Sequence, residues 1–165
     1  MVVEDDQPPS QLESREPSVE DLAGLCAALN AERARYLVVG GFAVRAAGYD
    51  RRTMDIDLLV EATAENEARV LAAVSQLPDH AAEELQPGEI AEYVVIRVAD
   101  EIVVDLMQSA SGIDYAAAQD EIVVHEVSGV PIPFASPALL LRMKSGSVRD
   151  KDRADVAFLR RLAED

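Results

Sequence analysis

Apolar residues follow no regular spacing at the start of the chain. Residues 1–17, with Pro8, Pro9 and Pro17 among Gln, Ser and Glu, predict a mobile N-terminal tail. From Ser18 the pattern changes. Leu22, Leu25, Cys26 and Leu29 recur at helical spacing behind a Ser18-x-x-Asp21 capping signature, which predicts a first helix. Tyr36 to Val39 is a short apolar run that reads as a strand, Phe42 to Ala47 as a short helix ended by Gly48, and Met54 to Val60 as a second strand. Val70, Val74 and Leu77 align a further helix over 63–77, with Pro78 as its stop. Residues 78–89 are polar and read as a loop. The β-rich runs 91–98 and 101–107, joined at Ala99-Asp100, predict an antiparallel hairpin. Strands at 122–127 and 130–134 follow, turning at Ser128-Gly129, and then helices over 136–145 and from Asp150 to the end. The expectation is an α/β (α+β) protein, a mixed sheet of about five strands with helices packed on it, in which 18–165 form a single domain.

Candidate chemistry sits on two of these elements. Residues two apart on a strand face the same way, so Asp55 and Asp57 put two carboxylates on one face while Ile56 and Leu58 turn to the other. Two bare carboxylates that close repel unless cations lie between them, which makes a metal part of the reading. Gly40-Gly41, at the end of an apolar strand and the start of a helix, lets backbone N–H groups approach a phosphate; the competing reading is that glycine is there only for the tight turn.

The segment Val38-Val-Gly-Gly-Phe-Ala-Val-Arg45 followed by Arg51-Arg-Thr-Met-Asp-Ile-Asp-Leu58 resembles the polymerase-beta-like nucleotidyltransferase superfamily, whose signature is a hydrophobic strand ending in Gly-Gly or Gly-Ser, a short helix, then Asp-x-Asp on the next strand. The Arg-x-Thr-x-Asp-Ile-Asp form looks like its minimal, abortive-infection and toxin–antitoxin branch. The resemblance covers roughly residues 36 to 159 and implies the nucleotidyltransferase fold, a third carboxylate on a later strand, and transfer of a nucleoside monophosphate from a nucleoside triphosphate to an acceptor hydroxyl with release of pyrophosphate. Asp105 suits the third position, with Asp100 and Asp114 as competitors. On this reading Asp55, Asp57 and Asp105 are the catalytic and metal-binding acids, and Gly40, Gly41, Arg51, Thr53 and Lys144 bind the nucleotide. Lys144 has an alternative as a helix-terminal lysine that complements the dipole. Arg149, Asp150 and Asp155 are candidates to organise the site from behind, although alternating charge over 149–155 also describes a solvated helix face.

Composition narrows the partners. At 165 residues the chain can bury one sizeable core. Two histidines and one cysteine leave no zinc set, so Mg2+ or Mn2+ on oxygen ligands is the expected cofactor, and Cys26 reads as a small buried hydrophobe. His80 and His125 read as ordinary loop and strand residues. No charged leader precedes an apolar run and no stretch is long enough to cross a bilayer, so the expectation is a cytoplasmic protein without a membrane role. The formal charge of −16, from 31 acidic and 15 basic residues, disfavours bulk nucleic acid and leaves a small molecule or a protein as acceptor, with a tRNA end less favoured. Two rivals remain. One is a non-catalytic or antitoxin-like member of the fold that acts through a protein partner. The other is a phosphotransferase or nuclease using the same metal logic, against which the missing Gly-Lys-Ser/Thr loop counts.

Overall fold

Helix α1, Val19–Ala31, starts where its local signal places it. The Ser18 side chain accepts from the Asp21 amide (3.1 Å) and the Asp21 carboxylate accepts from the Ser18 amide (2.7 Å), so two otherwise unpaired donors are satisfied reciprocally. Its stripe of Leu22, Leu25, Cys26 and Leu29 is buried, and burial pushes the Cys26 thiol up to about 12, as expected of an unreactive core residue. The computed structural model describes residues 14–145 and 150–164, and of residues 150 and 151 the backbone only. Residues 1–13 of the expected tail, Arg149, and the side chains of Asp150 and Lys151 therefore lie outside the described residues. Ser14 and Arg15, assigned from the sequence to the tail, are tied down: Ser14 Oγ donates to the Asp100 carbonyl (2.7 Å) and the Arg15 amide to the Glu101 carbonyl (2.9 Å).

Strand β1 (Tyr36–Val39) leads directly into helix α2 (Gly40–Ala46), and strand β2 (Ile56–Val60) and helix α3 (Ala64–Val74) follow. Thr63 caps α3 by accepting from the Asn66 amide (3.1 Å). Helix α3 ends before Leu77, and residues 75–77 continue as turns into Pro78, which disfavours helical backbone in the residue before it. Beyond them come strands β3 (Val95–Ala99) and β4 (Val103–Met107), a two-residue hairpin of β5 (Ser109–Ala110) and β6 (Ile113–Asp114), strands β7 (Ile122–Val127) and β8 (Val130–Ala135), and helices α6 (Pro137–Lys144) and α7 (Asp150–Glu164). Short helices α4 (Glu89–Glu92) and α5 (Tyr115–Ala118) lie between them. The β7–β8 connection is the one read from the sequence, with Ser128 and Gly129 both at positive φ (50° and 81°), the form that suits a two-residue hairpin.

The main sheet has six strands in the order β3-β4-β2-β1-β8-β7. It is mixed. β1 runs antiparallel to β2 and parallel to β8, while β2 runs parallel to β4. β1 and β2 are therefore interior strands, and their apolar residues Leu37, Val38, Ile56, Leu58 and Leu59 are fully buried.

The region between α3 and β4 departs from the expectation of two long strands. Residues 89–92 are helical because the buried carboxylate of Glu67, on α3, accepts from the amides of Gly88 (2.8 Å), Ile90 (2.9 Å) and Ala91 (3.2 Å), and so fixes that turn from outside it. Asp100 does the same at the other end of the hairpin. Its buried carboxylate accepts from the amides of Asp79 (2.8 Å), Ala81 (2.9 Å) and Glu101 (2.7 Å), so the reversal centres on Glu101 and not on Ala99-Asp100. The polar stretch 78–89 carries a short 3-10 turn at Ala81–Glu84 for the same reason.

Candidate active site

Three carboxylates converge on one side of the sheet. β2 and β4 pair in parallel register with Asp57 opposite Asp105, and ligand atoms of Asp55, Asp57 and Asp105 lie within 4.8 Å of one another. Asp55 stands just before β2 and not inside it. The Thr53 hydroxyl donates to the Asp55 carbonyl (3.0 Å) and holds the bend that turns this residue toward its partners. Burial, then the charges of Asp55 and Asp105, push Asp57 up to about 8, far above the ordinary carboxylate range. The competitors for the third acid are elsewhere: Asp100 anchors the turn just described, and Asp114 caps α5 by accepting from the Ala117 amide (2.9 Å).

The acids open into a cleft of about 580 Å3, a size common for small-ligand sites. Gly40 and Gly41 form one wall, and both are sterically required. Gly40 has φ of 69°, and a Cβ there would lie 2.1 Å from Asp57 Oδ2; a Cβ on Gly41 would lie 2.5 Å from Thr53 Oγ1 and 2.7 Å from an Arg51 nitrogen. The glycines thus let the strand-to-helix turn pass directly against the carboxylates and the Arg51–Thr53 loop.

Beside the glycines the cleft is also lined by a buried ionic network. Arg51 Nε donates to Asp155 Oδ1 (2.9 Å), and Lys144 Nζ donates to Asp152 Oδ1 (2.9 Å) while standing 3.2 Å from Asp155 Oδ2, a charge contact without hydrogen-bond geometry. Asp152 and Asp155 are almost fully buried, so the two cations are what make those carboxylates tolerable there. Lys144 reaches the cleft as expected, but its ammonium is already shared by two acids of α7. It neither stands as a lone cation nor caps its own helix.

Arg97 was not singled out in the sequence. Its Nε and one terminal nitrogen lie 2.9 and 3.0 Å from the two oxygens of Asp105, and the same terminal nitrogen lies 3.2 Å from Asp55 Oδ2. A usable signal existed, since Arg97 is the cross-strand partner of Asp105 in the β3–β4 ladder. Setting the turn at Ala99-Asp100 shifts that register and hides it.

No protein-family model matches the sequence, and no curated protein matches it. Solved structures do. The lincosamide antibiotic adenylyltransferase LnuA, solved with lincomycin bound, aligns over 88% of this chain and 98% of its own at 15% identity and a TM-score of 0.57. The antibiotic-resistance factor ANT(2'')-Ia aligns over 88% and 83% at 17% identity and a TM-score of 0.58. An antigenic nucleotidyltransferase-like protein from Paracoccidioides brasiliensis aligns over 87% and 76% at 17% identity and a TM-score of 0.54. The chain has the nucleotidyltransferase fold. In this nucleotidyltransferase-fold chain the strand, glycine pair, short helix and Asp-x-Asp strand occur in the order that the resemblance implied, and the sheet has six strands where about five were expected. Among the described residues no helix is long and apolar enough to cross a membrane.

Proposed function

We propose that the protein is a nucleotidyltransferase that uses a divalent cation, Mg2+ or Mn2+, to move a nucleoside monophosphate from a nucleoside triphosphate to the hydroxyl of a small molecule. The observation that carries this reading is the convergence of Asp55, Asp57 and Asp105 at the floor of a cleft walled by two glycines that admit no side chain. An all-oxygen, triply acidic donor set suits a hard divalent cation, and burial together with the charges of Asp55 and Asp105 raises Asp57, a strain that a bound cation would relieve. Bound to these three acids, such a cation would neutralise triphosphate charge and favour ionisation of the acceptor hydroxyl. Gly40 and Gly41 line the cleft and let the backbone of the strand-to-helix turn stand directly against Asp57, where its N–H groups would meet a phosphate. Thr53 holds Asp55 in place, and Arg51, anchored by Asp155, supports that loop. The acceptor oxygen bonds to the α-phosphorus as the bond to the pyrophosphate oxygen breaks, and the hydroxyl proton leaves to a carboxylate of the cluster. Two neighbours of similar fold carry antibiotic names, one of them an adenylyltransferase, which supports a small-molecule acceptor over a protein or a tRNA end. A cytoplasmic location, where nucleoside triphosphates are abundant, goes with this reading.

Titration calorimetry with ATP in Mg2+ and in excess chelator tests it, together with Asp55→Asn. Binding is expected with the metal alone, and Asp55→Asn is expected to abolish transfer while the fold is retained. Equal ATP binding in chelator would remove the metal from the mechanism.

A further inference from the structure

Asp105 is almost fully buried, and a buried carboxylate is costly unless hydrogen-bond donors, a proton or a cation offsets it. In the structure Arg97 does so, spanning both oxygens of Asp105 and reaching Asp55 Oδ2. Its described side-chain hydrogen bonds go to these two acids, and the charge of Asp57 acts on it as well. The Arg97 side chain is 62% exposed on the edge strand β3, so moving it fully into water or back changes its hydration little. Its anchors are therefore fixed and deep while the guanidinium itself is free to leave. A single guanidinium also cannot balance three carboxylates, and Asp57 receives no hydrogen bond from it.

Resting on the nucleotidyl-transfer reading above, we infer that Arg97 is a built-in competitor of the divalent cation: it holds Asp55 and Asp105 in their converging arrangement and gives up the same oxygens when the cation binds. Arg97 is thus a positioning residue. It keeps the acids from repelling one another apart, and it weakens cation binding by the free energy of its own ion pairs. On this basis a lone cation binds less tightly than the three acids alone would allow, and a nucleotide that brings additional ligands tips the exchange.

The test is Mn2+ binding to the full chain, followed by the electron paramagnetic resonance of free Mn2+, for the wild type, Arg97→Ala, Arg97→Lys and Arg52→Ala, with thermal melts in chelator and in saturating Mn2+. Arg97→Ala is expected to bind Mn2+ about tenfold more tightly, Arg97→Lys to fall between it and the wild type, and Arg52→Ala, which removes an exposed charge lining the same cleft, to change affinity less than about twofold. Arg97→Ala should melt below the wild type in chelator and level with it in saturating Mn2+, because the contact it lacks is then broken in both. Affinity unchanged or weakened in Arg97→Ala, or tightened equally in Arg52→Ala, overturns the competition while leaving metal-dependent transfer standing. Absence of Mn2+ binding in every protein, with and without a non-hydrolysable nucleoside triphosphate, overturns both. If Arg97→Ala does not fold, wild-type affinity in Arg97→Lys, which keeps the charge but cannot span two carboxylates, overturns the inference.

Discussion

Asp57 connects backbone, charge and chemistry at a single position. The turn at Gly40 passes so close to its Oδ2 that any side chain there collides with it, and burial together with the adjacent acids holds its proton up to about 8. The folded protein therefore keeps a proton that the unfolded chain releases near pH 4, where its ordinary value of 3.8 lies. In chelator the contribution of Asp57 to stability is full below that value, declines as pH rises toward 8, and is level above it. Denaturant unfolding of the wild type and Asp57→Asn at pH 5 and pH 8.5 measures this directly. The variant is expected to gain on the wild type as pH rises, and equal pH dependence in the two proteins would show that Asp57 is not the strained group. Saturating Mg2+ should remove the advantage of the variant, since the cation needs the ionised carboxylate.

Among the elements, the pair α6–α7 owes its place to the network of Arg51, Lys144, Asp152 and Asp155, with Phe158 of α7 stacked on Tyr49 at 5.0 Å. Asp155→Ala would leave two largely buried cations with one acid fewer, and is expected to destabilise the protein by about 3 kcal/mol in denaturant titration. A loss below about 0.5 kcal/mol, the range of an exposed ion pair, would mean that α7 is held by its apolar contacts alone. The sequence showed these acids only as alternating charge. Asp152, Asp155 and Leu159 share one buried stripe of α7, but helical spacing cannot tell a buried acid from a solvated one until the partner cations are known. The hairpin β3–β4 was legible as an element, and its register was not, because the Asp100 carboxylate that sets the turn acts through the amides of Asp79 and Ala81, about twenty residues away.

For the whole molecule, the net charge of −16 sets a long-range field that repels polyanions, most strongly at low salt. Incubation with labelled nucleoside triphosphate, Mg2+ and separate pools of metabolites, protein and total RNA is expected to place label on the metabolite pool. Label chiefly on tRNA, at a rate falling steeply as salt rises, would mean that a local basic surface outweighs the net charge and that the proposed acceptor class is wrong.

What the sequence alone determined is what local interactions determine: the capping box at Ser18 and Asp21, the Ser128-Gly129 turn, and the order of Gly40-Gly41 before Asp55-x-Asp57 all depend on residues a few positions apart. The tertiary structure decided which of 31 acids meet. Asp105 joins Asp57 because β4 lies parallel beside β2, and Asp100 and Asp114 turn to amides instead. Arg97 faces Asp105 because the hairpin turns at Glu101. Every carboxylate in the chain offers the same chemistry, so only the packing of distant strands distinguishes a candidate ligand from a cap, and that packing is settled by burial of both faces of the sheet at once.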